Sequence, residues 1–338
     1  MTDRLVCLGE CMVELAETGP ATYRRSFAGD TFNAAWYARR ALPEGWDVAY
    51  ATCIGTDAVS DEMAAFMAGE GIATDTLRRV PERGVGLYMI ALKDGERSFA
   101  YWRGQSAARL LADDPDWLDA VLGGAAHVHV SGITLAILAP EARRRLIDAL
   151  ARARTAGVTV SLDTNIRPRL WENEESCRAA LTACAEASDV LLPSFDEEAV
   201  LFGDATPEAT LARYRQAGAR VVVVKNGAAQ ILGWSDPAGE VRVDAVPDTA
   251  VVDTTAAGDS FAGAFPGRAS HRRRPARRHH ARGACGRRCG RGPRGAGAVT
   301  RRHHEPGPPP PGSSAMKVSS AASSPSRCGA TRCSSRSW

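Results

Sequence analysis

The segment Val251 to Phe265 reads VVDTTAAGDSFAGAF: strand-like residues, then a turn of small residues, then a helix. Ala256, Ala257 and Gly258 carry no bulky side chain, so a ligand can approach their backbone N–H groups. The first turn of a helix presents unpaired donors and the positive end of its dipole, which together make an anion site. Asp259 falls inside that turn, where a carboxylate can sit beside a bound phosphate and accept a proton from an attacking hydroxyl. The same position suits a plain first-turn acid that satisfies free N–H groups. Both readings stand on this stretch alone.

Three other stretches bring polar groups to the ends of apolar runs. FAGDTFNAAWYARR (27–40) is a small-residue turn that leads into a helix, with Asp30 and Asn33 near its start; a helix cap is the simpler use for them. SLDTNIRPRLW (161–171) puts Asp163, Asn165 and Arg167 at the carboxyl end of a strand, where open α/β sheets bind ligands. YWR (101–103) sets Tyr101 and Arg103 two apart, on one face of a strand. The planar fork of Arg suits a carboxylate, and a structural salt bridge is the competing use. No GxxxxGK[ST] loop, protein-kinase motif set or GxGxxG after the first strand is present.

These groups need elements to hold them. RLVCLGECMVEL opens as a strand, and WDVAYATCIG is another, followed by a helix over SDEMAAFMAGEG. Residues 86–92 and 97–102 flank KDGE, whose Asp-Gly pair predicts a hairpin. AAHVHVSG, VTVSLDTN, DVLLPS and RVVVVKNG read as strands, with helices at PEARRRLIDALARARTAG, EESCRAALTACAEASD, 195–202 and 207–217. Val-rich strands alternating with helices predict a parallel sheet covered on both faces. The 86–102 hairpin interrupts that rhythm and predicts a small β element beside the main sheet, in the role of a lid.

The 338 residues carry a formal net charge of +3, which hides two materials. Residues 266–338 hold 17 Lys+Arg and one acid, Glu305, so this tail stands at +16 and residues 1–265 at −13. The tail is rich in Arg, Gly, Pro, Ser and His, without aliphatic periodicity, and is expected to be disordered. Its GxGxxG at Gly290, Gly292 and Gly295 follows no strand. Its cysteines and histidines lack zinc spacing, so no metal site is expected. Cys7, Cys11, Cys53, Cys177 and Cys184 lie in apolar or helical settings and predict buried thiols in a reducing compartment. The start MTDRLVCLGE has no basic leader, and a cytoplasmic protein is the expectation.

With these pieces assembled, residues 1–265 resemble the ribokinase-like (PfkB-type) carbohydrate kinases, and among them the 2-keto-3-deoxygluconate kinases. DTTAAGDSFAGAF resembles the second family signature and AGDTFNAA the first; GECMVEL, GLYMI, GERSFAYWR, SGITLAIL, DTNIRPRLW and VVVVKNG resemble the subfamily. The resemblance implies a three-layer α/β sandwich with a mostly parallel sheet and a small β lid (around 11–33 and 84–104). It implies ATP and Mg²⁺ as cofactors and a sugar acid phosphorylated on its 6-hydroxyl. Asp259 matches the catalytic base, with Ala256, Ala257 and Gly258 as the anion hole. Gly29, Asp30, Asn33, Tyr88, Tyr101, Arg103 and Arg167 match substrate positions. Asn165, Ser194, Lys225 and Gly227 match the nucleotide side, and Glu197 an acid that holds Mg²⁺ through water. Assembly as a homo-oligomer through the lid would fit the resemblance. Ribokinase and fructokinase activities are the alternatives within the family.

Two departures stand out. The first glycine of the N-terminal pair is Ala28, and the family's helices after the Asp259 helix give way to the basic tail. A shifted reading frame in GC-rich coding DNA predicts such a switch, and an inactive product is its consequence. A nucleic-acid-binding arm is the competing account of the charge. The tail has Trp338 as its sole aromatic and no recognition fold, which counts against that account.

Overall fold

A computed structural model describes residues 3–93, 96–227, 229–236, 238–244 and 257–270. The chain begins with β1 (Asp3–Leu8), then β2 (Met12–Gly19) and β3 (Thr22–Ala28) as a hairpin, and α1 (Asp30–Ala41). It continues through β4 (Trp46–Ile54), α2 (Ala58–Gly69) and β5 (Leu77–Arg79) to a second hairpin, β6 (Gly86–Lys93) and β7 (Glu96–Trp102). Then follow α3 (Pro115–Gly123), β8 (His127–Ser131), α4 (Gly132–Ile137), α5 (Pro140–Thr155), β9 (Thr159–Asp163) and α6 (Glu174–Glu186). The remainder is β10 (Val190–Leu191), α7 (Phe195–Phe202), α8 (Pro207–Gln216), β11 (Val221–Val224), β12 (Ile231–Ser235), β13 (Gly239–Val243) and α9 (Ala257–Ser270).

Nine strands form one sheet in the order β13-β12-β11-β10-β9-β8-β1-β4-β5, parallel from β11 to β5 with β12 and β13 as an antiparallel edge. The VVVV of β11 shows why such strands read as unbroken apolar runs. Val222 and Val224 pack into the core on one face of the sheet, and Val223 packs with Ala34 and Ala262 on the other. The two hairpins form a second sheet, β3-β2-β6-β7, joined in parallel between β2 and β6. This is the small β element expected beside the main sheet.

One expected strand is two. RLVCLGECMVEL breaks between Leu8 and Met12, leaving the large sheet and entering the small one. The break is invisible as a pattern because every residue from Leu5 to Glu14 is buried. Gly9 marks it: a Cβ there would overlap the Thr31 hydroxyl. Strand β3 was not anticipated either, since its residues Thr22 to Arg25 are exposed and carry no alternation.

Helix α9 packs across α1 through small residues. Gly263 faces Ala34 so closely that a Cβ would overlap the Ala34 carbonyl oxygen, and Ala262 is fully buried. Backbone cannot yield as a flexible side chain does, so Gly263→Ala should cost about 1–3 kcal/mol of stability. Urea unfolding of the two proteins checks this, and unchanged stability would mean that α9 does not sit against α1. The helix continues past Phe265, where the sequence pattern predicted ordered structure to end, as far as Ser270. The expectations for residues 271–338 lie outside the described residues.

The five body cysteines are buried free thiols, as expected. Among the described residues no helix is long and apolar enough to cross a membrane.

Candidate active site

The carboxyl ends of β1, β8, β9, β10 and β11 all open on one edge of the sheet, beside the starts of α1 and α9. That edge gathers most of the polar residues singled out in the sequence. Asp259, in the first turn of α9, accepts a hydrogen bond from Asn33 Nδ2 at 2.9 Å. Two helix starts far apart in the chain thus meet at one carboxylate. Burial, with the nearby Asp30 carboxylate adding to it, raises the Asp259 carboxyl from 3.8 to about 7, while Asn33 opposes the shift. Asp163 also raises it and Lys225 lowers it.

Asp30 opens α1, with Gly29 at the cap position in extended backbone. Its Oδ2 accepts from Asn165 Nδ2 at 2.9 Å and from the Ser131 hydroxyl. Asn165 sits at φ 31, in the left-handed region that Asn tolerates better than most residues, and its N–H donates to Asp163 Oδ1 at 3.2 Å. Ser131 was not among the expected site residues. Its position at the end of the strand-like AAHVHVSG was the available signal.

Lys225 follows β11, its N–H donating to the Pro193 carbonyl and its own carbonyl accepting from Phe195 N–H, both at 2.8 Å. A bridge to Ser194 places that residue alongside. The Lys225 ammonium donates to both oxygens of Asp163, at 2.9 and 2.8 Å, and both side chains are largely buried. A Cβ on Gly258 would lie 3.5 Å from Lys225 Nζ, so the cation stands at the mouth of α9. Gly227, at φ 54, turns the chain beyond it. Ala257 and Gly258 begin the helix, whereas Ala256 lies outside the described residues.

The arginines have partners of their own. Arg103 is ion-paired with Glu10, with side-chain exposures of 10% and 1%. Arg167 is ion-paired with Glu197, whose Oε2 also accepts from the Ile166 N–H at 2.9 Å. Burial raises the Glu197 carboxyl, and Arg167 opposes that shift. Tyr88 and Tyr101 stack in the small sheet with ring centroids 5.7 Å apart, and the Tyr88 hydroxyl donates to buried Glu14. The Arg103 guanidinium lies 6.0 Å from the centre of the Tyr101 ring. Glu10 and Glu14 were quoted only within GECMVEL and not as site residues; acids inside an apolar strand pattern were the missed signal.

Beneath the site, His127 and His129 of β8 share the Ser161 hydroxyl of β9, at 2.8 and 3.0 Å. Burial holds both imidazoles below their ordinary range, hence neutral.

A sheet edge that brings an acid to a helix mouth beside a lysine, with a small second sheet joined to the large one, is a layout suited to phosphoryl transfer. The pfkB family carbohydrate kinase profile matches residues 2–309, and the chain belongs to that family. Among curated relatives, the 2-dehydro-3-deoxygluconokinase of Dickeya dadantii is 39% identical over 270 residues, 78% of this chain and 87% of its own. The enzyme of the same name from Escherichia coli K12 is 38% identical over 277 residues, with the same coverage of 78% and 87%. Among solved structures, a PfkB protein from Polaromonas sp. JS666 matches with a TM-score of 0.68 and 33% identity, covering 78% of this chain and 87% of that one. A fructokinase with bound ATP from Xylella fastidiosa matches with a TM-score of 0.68 and 26% identity, covering 78% and 80%. The ribokinase-like α/β fold expected from the sequence is the fold observed.

Proposed function

We propose that this carbohydrate kinase transfers the γ-phosphoryl of ATP to the 6-hydroxyl of 2-keto-3-deoxygluconate, with Asp259 as general base. The observation that carries the reading is the Asp259 carboxylate, held by Asn33 at the mouth of α9 and raised to about 7. As the substrate oxygen bonds to the γ-phosphorus, its proton passes to the Asp259 carboxylate and ADP departs. Backbone N–H groups of Ala256, Ala257 and Gly258 serve the charge on the transferred group, with the Lys225 ammonium beside Gly258. Asn165, Ser194 and Gly227 belong to the nucleotide side. Gly29, Asp30, Asn33, Tyr88 and Tyr101 serve the sugar, and Arg103 and Arg167 its carboxylate. The names of the curated relatives support the sugar acid.

Glu197 is the acid for Mg²⁺, through water. Among the described residues no cluster of three His, Cys, Asp or Glu is arranged to hold a metal ion. A single acid suits an ion held chiefly by phosphate oxygens and water. When bound, Mg²⁺ supplies charge neutralisation to the phosphates. The lid excludes water.

One observation favours a second reading. Arg103 and Arg167 each already have a carboxylate partner, so a neutral sugar such as fructose would leave both pairs intact. ADP release measured with 2-keto-3-deoxygluconate, ribose, fructose and a nucleoside separates the two. Turnover of the sugar acid is expected; activity on neutral sugars alone would overturn the substrate assignment.

Residues 1–265 form the kinase domain in this reading, and 266–338 derive from a shifted reading frame. The nucleotide sequence around codon 265 tests this: another frame should encode amphipathic helices, and none doing so would end the idea.

A further inference from the structure

The small sheet is joined to the body by four chain crossings, and all four converge on Glu10. The first, between β1 and β2, contains Glu10 itself. The second, between β3 and α1, is Gly29, where a Cβ would overlap the Glu10 carbonyl oxygen. The third enters β6 at Gly86, where a Cβ would lie 2.8 Å from Glu10 Oε1 and 3.3 Å from Arg103 Cβ. The fourth leaves β7 at Arg103, whose guanidinium pairs with the Glu10 carboxylate. One crossing thus needs glycine, a second runs tight against the Glu10 carboxylate, and the other two supply the ion pair.

Glu10 is 2% exposed, so its carboxylate has little freedom, and its grip on Arg103 dictates where the guanidinium lies. Arg103 Nε and Nη2 and both Glu10 carboxylate oxygens are buried without a hydrogen-bond partner among the described residues, so the two groups meet as an ion pair and donors of the fork stay uncommitted. Burial raises the Glu10 carboxyl, Arg103 opposes the shift, and Asp30 adds to it, so the pair stands within electrostatic reach of the site.

We propose that Glu10 is a positioning residue: it sets the place of the Arg103 guanidinium at the hinge of the lid, and through it the preference for a substrate that carries a carboxylate. The inference rests on the reading of Arg103 as a carboxylate clamp. A fork that reads a carboxylate through two parallel N–H donors is sensitive to displacement. A shorter acid at position 10 draws the guanidinium back by about one bond length while keeping the charge. Geometry and charge can therefore be separated.

The test is calorimetric binding to the full chain, with 2-keto-3-deoxygluconate and its neutral analogue 3-deoxyfructose as probes, and unfolding temperatures checked for every variant. Glu10→Asp should weaken binding of the sugar acid about tenfold and leave that of 3-deoxyfructose within about twofold. Glu10→Gln should also weaken the acid, because the anchor is lost. Arg103→Met and the double variant E10D/R103M should be equally weak. Unchanged acid binding in Glu10→Asp would overturn the proposal, as would tighter acid binding in Glu10→Gln, since Glu10 would then merely compete for Arg103. Equal losses for both probes would make Glu10 a structural residue and overturn it too. Unchanged acid binding in Arg103→Met would instead overturn the clamp reading beneath it.

Discussion

Asp259→Asn should lower kcat by about 10²–10⁴-fold while leaving the KM values for both substrates within a few-fold. The amide keeps the size of the carboxylate but cannot take the proton, so the loss falls on the chemical step. Steady-state ADP release on the two proteins checks it, and a residual rate within tenfold of the parent would remove Asp259 as base. The pH profile gives a second measurement. The base works when ionised, so activity should rise with pH through about 7 and level off above it, whereas an unperturbed aspartate would set that limb near 4. Asn33 favours the ionised form by donating to it, so Asn33→Ala should move the limb to higher pH. Stability responds in the same window. The folded carboxyl lies above its unfolded value, so its contribution is present below 3.8 and lost as pH rises through about 7. Relative to the parent, the Asn variant should therefore gain stability as pH rises from 4 to 8.

Lys225→Met carries the second large effect, and it falls on both fold and site. Removing the lysine leaves the Asp163 carboxylate buried without its counter-charge, which should cost about 3–5 kcal/mol. Urea unfolding measures this, and Asp163→Asn combined with Lys225→Met should recover most of it, because breaking a pair costs more than removing both members. Function separates from stability through nucleotide binding. With the cation at the mouth of α9, the variant should lose affinity for ADP much more than for AMP. Equal losses for the two nucleotides would mean that Lys225 holds Asp163 and does not meet the terminal phosphates.

The motif-bearing stretches were legible because their chemistry depends on local composition. The first turn of a helix offers free N–H donors whatever surrounds it, and Val-rich runs separated by amphipathic helices leave little choice but a covered parallel sheet. The hairpin at 86–102 was readable from one Asp-Gly pair in the sequence. The break at Gly9 was not, since a chain passing between two buried environments keeps the same apolar pattern on both sides. Arg103 illustrates the same limit: its type and spacing announced a site for a carboxylate, but that its partner is Glu10 could not be read from a separation of more than ninety residues.

By itself the sequence determined the fold class, the family and the identity of the acid at the helix mouth, because these rest on residue types within a few positions of one another. Only the tertiary structure decided which partner meets each charge. It set Asn33 on Asp259, Asp163 on Lys225, Glu10 on Arg103 and Glu197 on Arg167. A charge reports its presence in the sequence, but its strength and reach depend on burial and on the opposite charge brought beside it, and folding alone supplies both.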